Sequence, residues 1–230
     1  MVSSELTSTI EDYLKVIWAG NEWNDDDITI GALATTLGLA PSSVSETIKR
    51  LTAQKLVEHK PYGGIRLTTD GERAAVRIVR RHRILETYLV RFFGYSWDEV
   101  HDEAENLEHG ASERLIDAMD AALSYPDVDP HGDPIPRADG SLPNAALNDK
   151  RRTLADLDTG VDAVVVRVSD AVPELLRYCD REGLTLGAHV QVVERICSAQ
   201  LMRAEVSGRE VTLSSAAAAA VWVRPEKEQA

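Results

Sequence analysis

The chain is poor in cysteine. Cys179 and Cys197 stand 18 apart with no C-x-x-C pattern, which gives no disulfide framework and predicts reduced thiols in a cytoplasmic protein. Long apolar runs are missing: Ala216 to Val223, the most apolar stretch, spans 8 residues, too few to cross a membrane. No basic start leads into an apolar segment, so no secretory signal is expected. Internal repeats are absent, as are G-x-S-x-G, a P-loop and H-E-x-x-H, which removes the common signatures of hydrolases and nucleotide-binding enzymes. Positive charge is short, with 25 Lys and Arg against 38 Asp and Glu and a net charge of −13. Phosphate backbones should repel such a chain as a whole, so any nucleic-acid binding must be local or conditional. What remains is a folded chain, 43% hydrophobic and 230 residues long, large enough for one large domain or two to three small ones.

Charge is arranged in blocks. Glu72 to Arg91 has six Arg against two Glu, whereas Phe92 to Asp120 has nine acids and one Arg, neighbours suited to pairing or to holding cations. Five prolines and two glycines between Pro126 and Pro143 prevent a regular helix or strand and predict a linker. Beyond it, V-D-A-V-V-V-R-V, H-V-Q-V-V-E-R-I and E-V-S-G-R-E-V-T-L look like β-strands, and Ala216 to Ala220 like a helical turn before a last strand.

Leu6, Ile10, Tyr13, Leu14, Ile17 and Trp18 recur at helical spacing and predict an amphipathic helix over about residues 4–21, with Asp12 off its buried stripe. A second helix, Ile30 to Leu37, should stop at Gly38, and Pro41-Ser42-Ser43 should open a third with Val44, Ile48 and Leu51 inward. Residues 56–60 and 65–68 then read as a hairpin around Pro61-Tyr62-Gly63-Gly64. This order is a winged helix-turn-helix. The third helix turns Ser42, Ser43, Ser45, Glu46, Thr47, Lys49 and Arg50 outward, short hydrogen-bonding groups and two cations suited to a DNA groove. A protein-protein module is the competing reading, since residues 1–71 hold six basic and ten acidic side chains.

A long helix from about Asp70 to Phe93 should turn Ala75, Ile78, Val79, Leu85, Leu89 and Phe92 inward, with His82 beside that stripe and Glu86 one turn later. In H-D-E-A-E-N-L-E-H, the spacings place His101, Glu105, Glu108 and His109 on one side of the next helix. Six acids from Asp98 to Glu108 repel one another unless water or an ion neutralises them. Imidazoles and carboxylates without thiolate suit Mn²⁺, Fe²⁺ or Zn²⁺. Asn106 stands where the E-x-x-H of di-iron oxidases needs its glutamate, which speaks against redox catalysis.

I-E-D-Y-L-K-V-I, the winged helix to Gly71, R-R-H-R-I-L-E-T-Y-L, V-H-D-E-A-E-N-L-E-H and D-P-H-G-D-P-I-P occur together and in order. The chain thereby resembles the diphtheria-toxin-repressor family of metal-dependent transcription regulators, in its manganese-responsive branch. The resemblance implies a mainly α protein with small β parts: a winged helix-turn-helix over 1–73, a helical metal-binding and dimerisation domain over 74–143, and an SH3-like β-barrel over 144–230. It implies a primary site of Asp12, Glu105, Glu108 and His109 and an ancillary site of His82, Glu86 and His101, two per protomer. Asp170 and Glu174 lie where such C-terminal domains sometimes add ligands. Asp12 and Glu105 stand where iron-responsive members carry methionine and cysteine, so Mn²⁺ is the expected ion and Fe²⁺ the alternative. Where shorter manganese regulators carry a further carboxylate, this chain has Lys15. Arg83 is a candidate for holding an anion or a carboxylate near the ancillary site.

The expected function is a manganese-activated, cytoplasmic repressor that binds a palindromic DNA operator as a homodimer, touches no membrane, and controls metal-uptake genes. An iron-dependent regulator is the nearer alternative and a metal-dependent hydrolase the more distant one. Because Asp12 lies off its own core stripe, the residues give its helix no tie to the acidic segment other than a metal. The apolar Ile84, Leu85, Tyr88, Leu89, Phe92, Phe93 and Leu115 are the expected dimer face.

Overall fold

The computed structural model describes residues 6–23, 27–60, 63–143 and 151–226, the side chain of Trp23 excepted. Pro61 and Tyr62 of the expected hairpin turn lie outside that set.

Helix α1 (Ser8–Trp23) buries Tyr13, Leu14 and Ile17 completely or nearly so, as its apolar spacing requires. Helix α2 (Ile30–Thr36) starts where the Thr29 hydroxyl accepts from Ala32 N at 3.1 Å. It ends at Gly38, whose φ of +64° is the left-handed cap foreseen for it. Pro41 opens α3 (Pro41–Ala53), with Val44, Ile48 and Leu51 buried beneath its outer face. Strands β1 (Val57–His59) and β2 (Ile65–Leu67) pair antiparallel, completing the winged helix over one hydrophobic core.

Helix α4 (Thr69–Tyr88) runs on into a π-helical turn, Leu89–Phe93, that Gly94 stops at φ +73°. Its inward residues are as expected except Phe92, which is half exposed. Helices α5 (Val100–Glu108) and α6 (Glu113–Ala122) follow. Of the apolar residues assigned to a dimer face, Ile84 and Leu85 are buried within the chain itself, while Phe92, Phe93 and Leu115 stay exposed, as do Leu107 and Tyr125.

The C-terminal part holds β3 (Arg152–Thr153), β4 (Asp162–Val168), α7 (Pro173–Glu182), β5 (His189–Ile196), β6 (Leu201–Val206), β7 (Arg209–Ser214), α8 (Ser215–Ala219) and β8 (Val221–Pro225). Its six strands lie in the order β3-β8-β4-β5-β6-β7, an SH3-like sheet that does not close into a barrel. The expected closed barrel and one expected strand are corrected here. The segment 205–213 is not one strand but the end of β6, a turn at Ser207 and Gly208 with positive φ, and β7. Helix α7, with Leu176 and Cys179 on its buried side, lies in a stretch to which no element was assigned.

By contacts the chain forms two compact units. One comprises Met1–His82, Glu108–Leu115 and Pro136–Ser141; the other comprises Arg83–Leu107, Ile116–Ile135 and Leu142–Ala230. The expected linker departs most from its reading. It has no helix or strand beyond one isolated bridge, Val128 to Pro134, yet 131–136 are all buried. Burial is possible because the backbone polar groups find partners. Asp129 Oδ1 accepts from His131 N at 2.8 Å and Asp133 N at 2.9 Å, and Val168 N of β4 donates to His131 O at 2.9 Å. Gly132, at φ +90°, lies so close to β4 that a Cβ there would meet Val166 O at 2.2 Å.

Candidate metal centre

In the first unit, α1 supplies Asp12, and the end of α5 with the residue after it supplies Glu108 and His109; their donor atoms lie within 4.8 Å of one another. Asp12 Oδ1 is 2.8 Å from His109 Nε2, and Glu11 Oε2 is 2.8 Å from His109 Nδ1. Glu11 was missed in the sequence, where only its place beside Asp12 marked it. It orients the imidazole as an outer carboxylate orients a metal-ligating histidine, and Arg81 Nη1 reaches its other oxygen at 3.4 Å. Glu108 is fully buried: Oε2 accepts from His82 Nδ1 at 2.7 Å and Oε1 from Lys15 Nζ at 2.7 Å. Burial raises the Glu108 carboxyl, but His82 and Lys15 outweigh it and hold the group below its ordinary pKa. Burial lowers His109, yet Glu11, Asp12 and Glu108 leave it raised.

These contacts correct one expectation. The helix bearing Asp12 is already tied to Glu108 and His109 through Lys15, Glu11 and Asp12, so its docking does not depend on an ion alone.

The second unit holds a second cluster. Glu86 Oε1 is 3.3 Å and Asp170 Oδ2 is 3.2 Å from His101 Nδ1, and Glu105 Oε1 is 3.7 Å from His101 Nε2. Glu86, Asp129 and His131 bring three buried donor atoms within 4.8 Å of one another. His131, absent from the expected site, is fully buried, its ring stacked on Trp97 at 6.0 Å between centroids. Its Nε2 lies 2.7 Å from the Trp97 carbonyl, which can only accept, so Nε2 carries a proton and donates. Nδ1 then faces Glu86 Oε2 at 3.7 Å with no hydrogen bond of its own. A buried imidazole whose far nitrogen donates to a carbonyl and whose near nitrogen meets carboxylates is a metal-ligand arrangement, so these residues fit a divalent ion. The signal was D-P-H-G-D, read as a linker.

Protons answer the same field. Burial lowers His101 and His131, but Asp170 with Glu86, and Glu86 with Asp129, push them up to about 10. Asp129, buried beside Glu86, rises to about 6; Asp170 is drawn down to about 2, where burial is outweighed by His101. Behind His131, Arg83 lies 3.7 Å from Asp129 and 3.6 Å from Asp133, and Arg167 of β4 pairs with Asp133. Arg83 therefore holds carboxylates of its own chain.

In the winged helix, Ser42, Ser43, Glu46, Lys49 and Arg50 are exposed along α3, with Ser45 and Thr47 half-buried.

Residues 5–65 match the iron dependent repressor N-terminal DNA binding domain, 68–137 the metal binding and dimerisation domain of the same repressors, and 152–225 the FeoA domain. Over 200 residues the chain is 32% identical to the iron-dependent repressor IdeR of Mycobacterium leprae, 82% of this chain and 85% of that protein. The chain belongs to the iron-dependent, or diphtheria-toxin, repressor family. A manganese-dependent transcriptional repressor solved with manganese superimposes with a TM-score of 0.88 at 44% identity, over 94% of this chain and all of that one. The manganese regulator SloR gives 0.80 at 31% identity, over 96% of this chain and 100% of its own. The regulator MntR of Oceanobacillus iheyensis is 29% identical over 119 residues, 52% of this chain and 80% of its own length. This repressor is thus a metal-dependent, DNA-binding and dimerising transcription regulator of the manganese-type branch and not an enzyme. No helix among the described residues is long and apolar enough to cross a membrane.

Proposed function

We propose that the ion is Mn²⁺, that two sites per protomer hold it, and that the loaded homodimer binds a palindromic operator of metal-uptake genes in the cytoplasm. The observation that carries the metal choice is the donor set: Asp12, Glu108 and His109 in one cluster and Glu86, His101, Asp129, His131 and Asp170 in the other offer oxygen and imidazole nitrogen without sulfur. Glu105, on the helix face that also carries His101 and Glu108, remains our reading of a further ligand. His82 acts through Glu108, to which it donates a hydrogen bond. When bound, the ion supplies positive charge that neutralises the carboxylates and fixes their directions. Glu11 and Trp97 O hold His109 and His131 in register for it. Arg83 and Arg167 keep the 129–133 turn in place. The division into 1–73, 74–143 and 144–230 remains our reading of the domains, with Ser42, Ser43, Ser45, Glu46, Thr47, Lys49 and Arg50 as the DNA-facing set.

A gel shift on the protein's own promoter tests this. Retardation with Mn²⁺ that disappears in chelator is expected; equal affinity in both contradicts it. Fe²⁺ is distinguished by Asp12→Met with Glu105→Cys, which should raise the Fe²⁺ to Mn²⁺ activation ratio under anaerobic conditions. An unchanged ratio removes these two side chains as the basis of metal choice.

A further inference from the structure

Lys15 stands inside the first cluster without being able to ligate a metal while protonated. It follows Asp12 by three residues on α1, so both side chains leave the helix on neighbouring positions of one face. Its Nζ is 2.7 Å from Oε1 of Glu108, with the lysine side chain 13% exposed and the glutamate 0%. Nε2 of His109, the atom paired with Asp12, is 3.6 Å from that same oxygen. The other Glu108 oxygen is taken by His82 at 2.7 Å. An ion held by Asp12, Glu108 and His109 must therefore share Oε1 with an ammonium or take it away.

We infer that Lys15 is a resident cation that occupies the ion's own carboxylate in the metal-free repressor and thereby sets how much metal is needed to load this site. The ammonium and a divalent ion carry like charge, and both compete for one oxygen in a place where water screens little. Lys15 weakens metal binding and, by the same contact, keeps α1 fastened to Glu108 when no ion is present. Removing the charge should therefore act in opposite directions on the two states. A salt bridge that served only the fold would lower the stability of both equally.

The inference rests on the reading that Asp12, Glu108 and His109 hold an ion, and the experiment separates the two. In a Glu86→Gln, His101→Ala background that removes the carboxylate common to both donor groups of the second cluster, Mn²⁺ is titrated while free Mn²⁺ is followed by electron paramagnetic resonance. Thermal unfolding is recorded with and without Mn²⁺. Lys15→Gln and Lys15→Met should each bind Mn²⁺ at least tenfold more tightly than the background, lower the Tm of the metal-free protein, and enlarge the Mn²⁺-induced rise in Tm. Lys15→Arg, which keeps the charge, should stay within about threefold. Asp12→Ala and His109→Ala should abolish binding. If those two leave binding unchanged, the site reading and this inference both fall. If they abolish it while the Gln and Met variants bind no more tightly than the background, only the role of Lys15 falls. Lys15→Gln conserves polarity and decides the matter should Lys15→Met not fold.

Discussion

Arg167 shows how one buried side chain connects stability with the site. It reaches from β4 to Asp133 at the end of the turn that carries His131, and both residues are buried. Removing one partner of a buried ion pair leaves the other charged in a poor solvent, so Arg167→Met should cost roughly 3–5 kcal/mol, toward the lower figure because Arg83 also approaches Asp133. The double change Arg167→Met with Asp133→Leu should recover much of the loss, since no carboxylate is then stranded. Chemical denaturation of the two single variants and the double measures this; a double variant whose loss equals the sum of the two single losses would mean the pair does not couple. His131 shows the limit of reading residues one by one. In sequence it is one histidine among prolines and glycines, and only its Trp97 and Glu86 neighbours make it a ligand candidate.

Among the elements, the legible ones were those with strong local signals. Helices α1 to α3 and the hairpin follow apolar spacing, a threonine cap, Gly38 and Pro41, all set within a few residues. The turn at Leu89–Phe93 was read only as more helix, and its outward rings have a consequence. Phe92 is 52% and Phe93 69% exposed, with Tyr88 4.7 Å from Phe92 between ring centroids. Such a patch on a dimerising family member belongs against a second copy. Phe92→Glu with Phe93→Glu should shift the repressor from dimer to monomer in sedimentation velocity at micromolar concentration. A dimer that survives both changes places the interface elsewhere.

For the whole molecule, metal loading and proton loading are one equilibrium. His101 and His131 hold protons up to about pH 10 in the metal-free chain because surrounding carboxylates favour the charged ring over the opposing effect of burial. An ion requires the neutral ring, so binding at pH 7 must expel those protons. Lowering the pH favours the protonated, metal-free form, and raising it favours the loaded form. Mn²⁺ affinity should therefore rise steadily from pH 6 to 8. Calorimetry in two buffers of different ionisation heat should show proton release on binding. Affinity independent of pH, with no protons released, would show that these imidazoles do not ligate.

The sequence by itself determined the winged helix, the family and which histidines and carboxylates share a helix face, because periodicity, caps and the i, i+4 spacing are local properties of the chain. Tertiary structure decided the rest. Glu11 and Lys15 join His109 and Glu108 across more than ninety residues. The proline-rich segment became a buried wall of the second cluster because Asp129, Arg83 and Arg167 satisfied a backbone and charges that composition alone assigns to solvent. Burial of polar groups depends on partners distant in sequence, and that dependence is what a reading along the chain cannot supply.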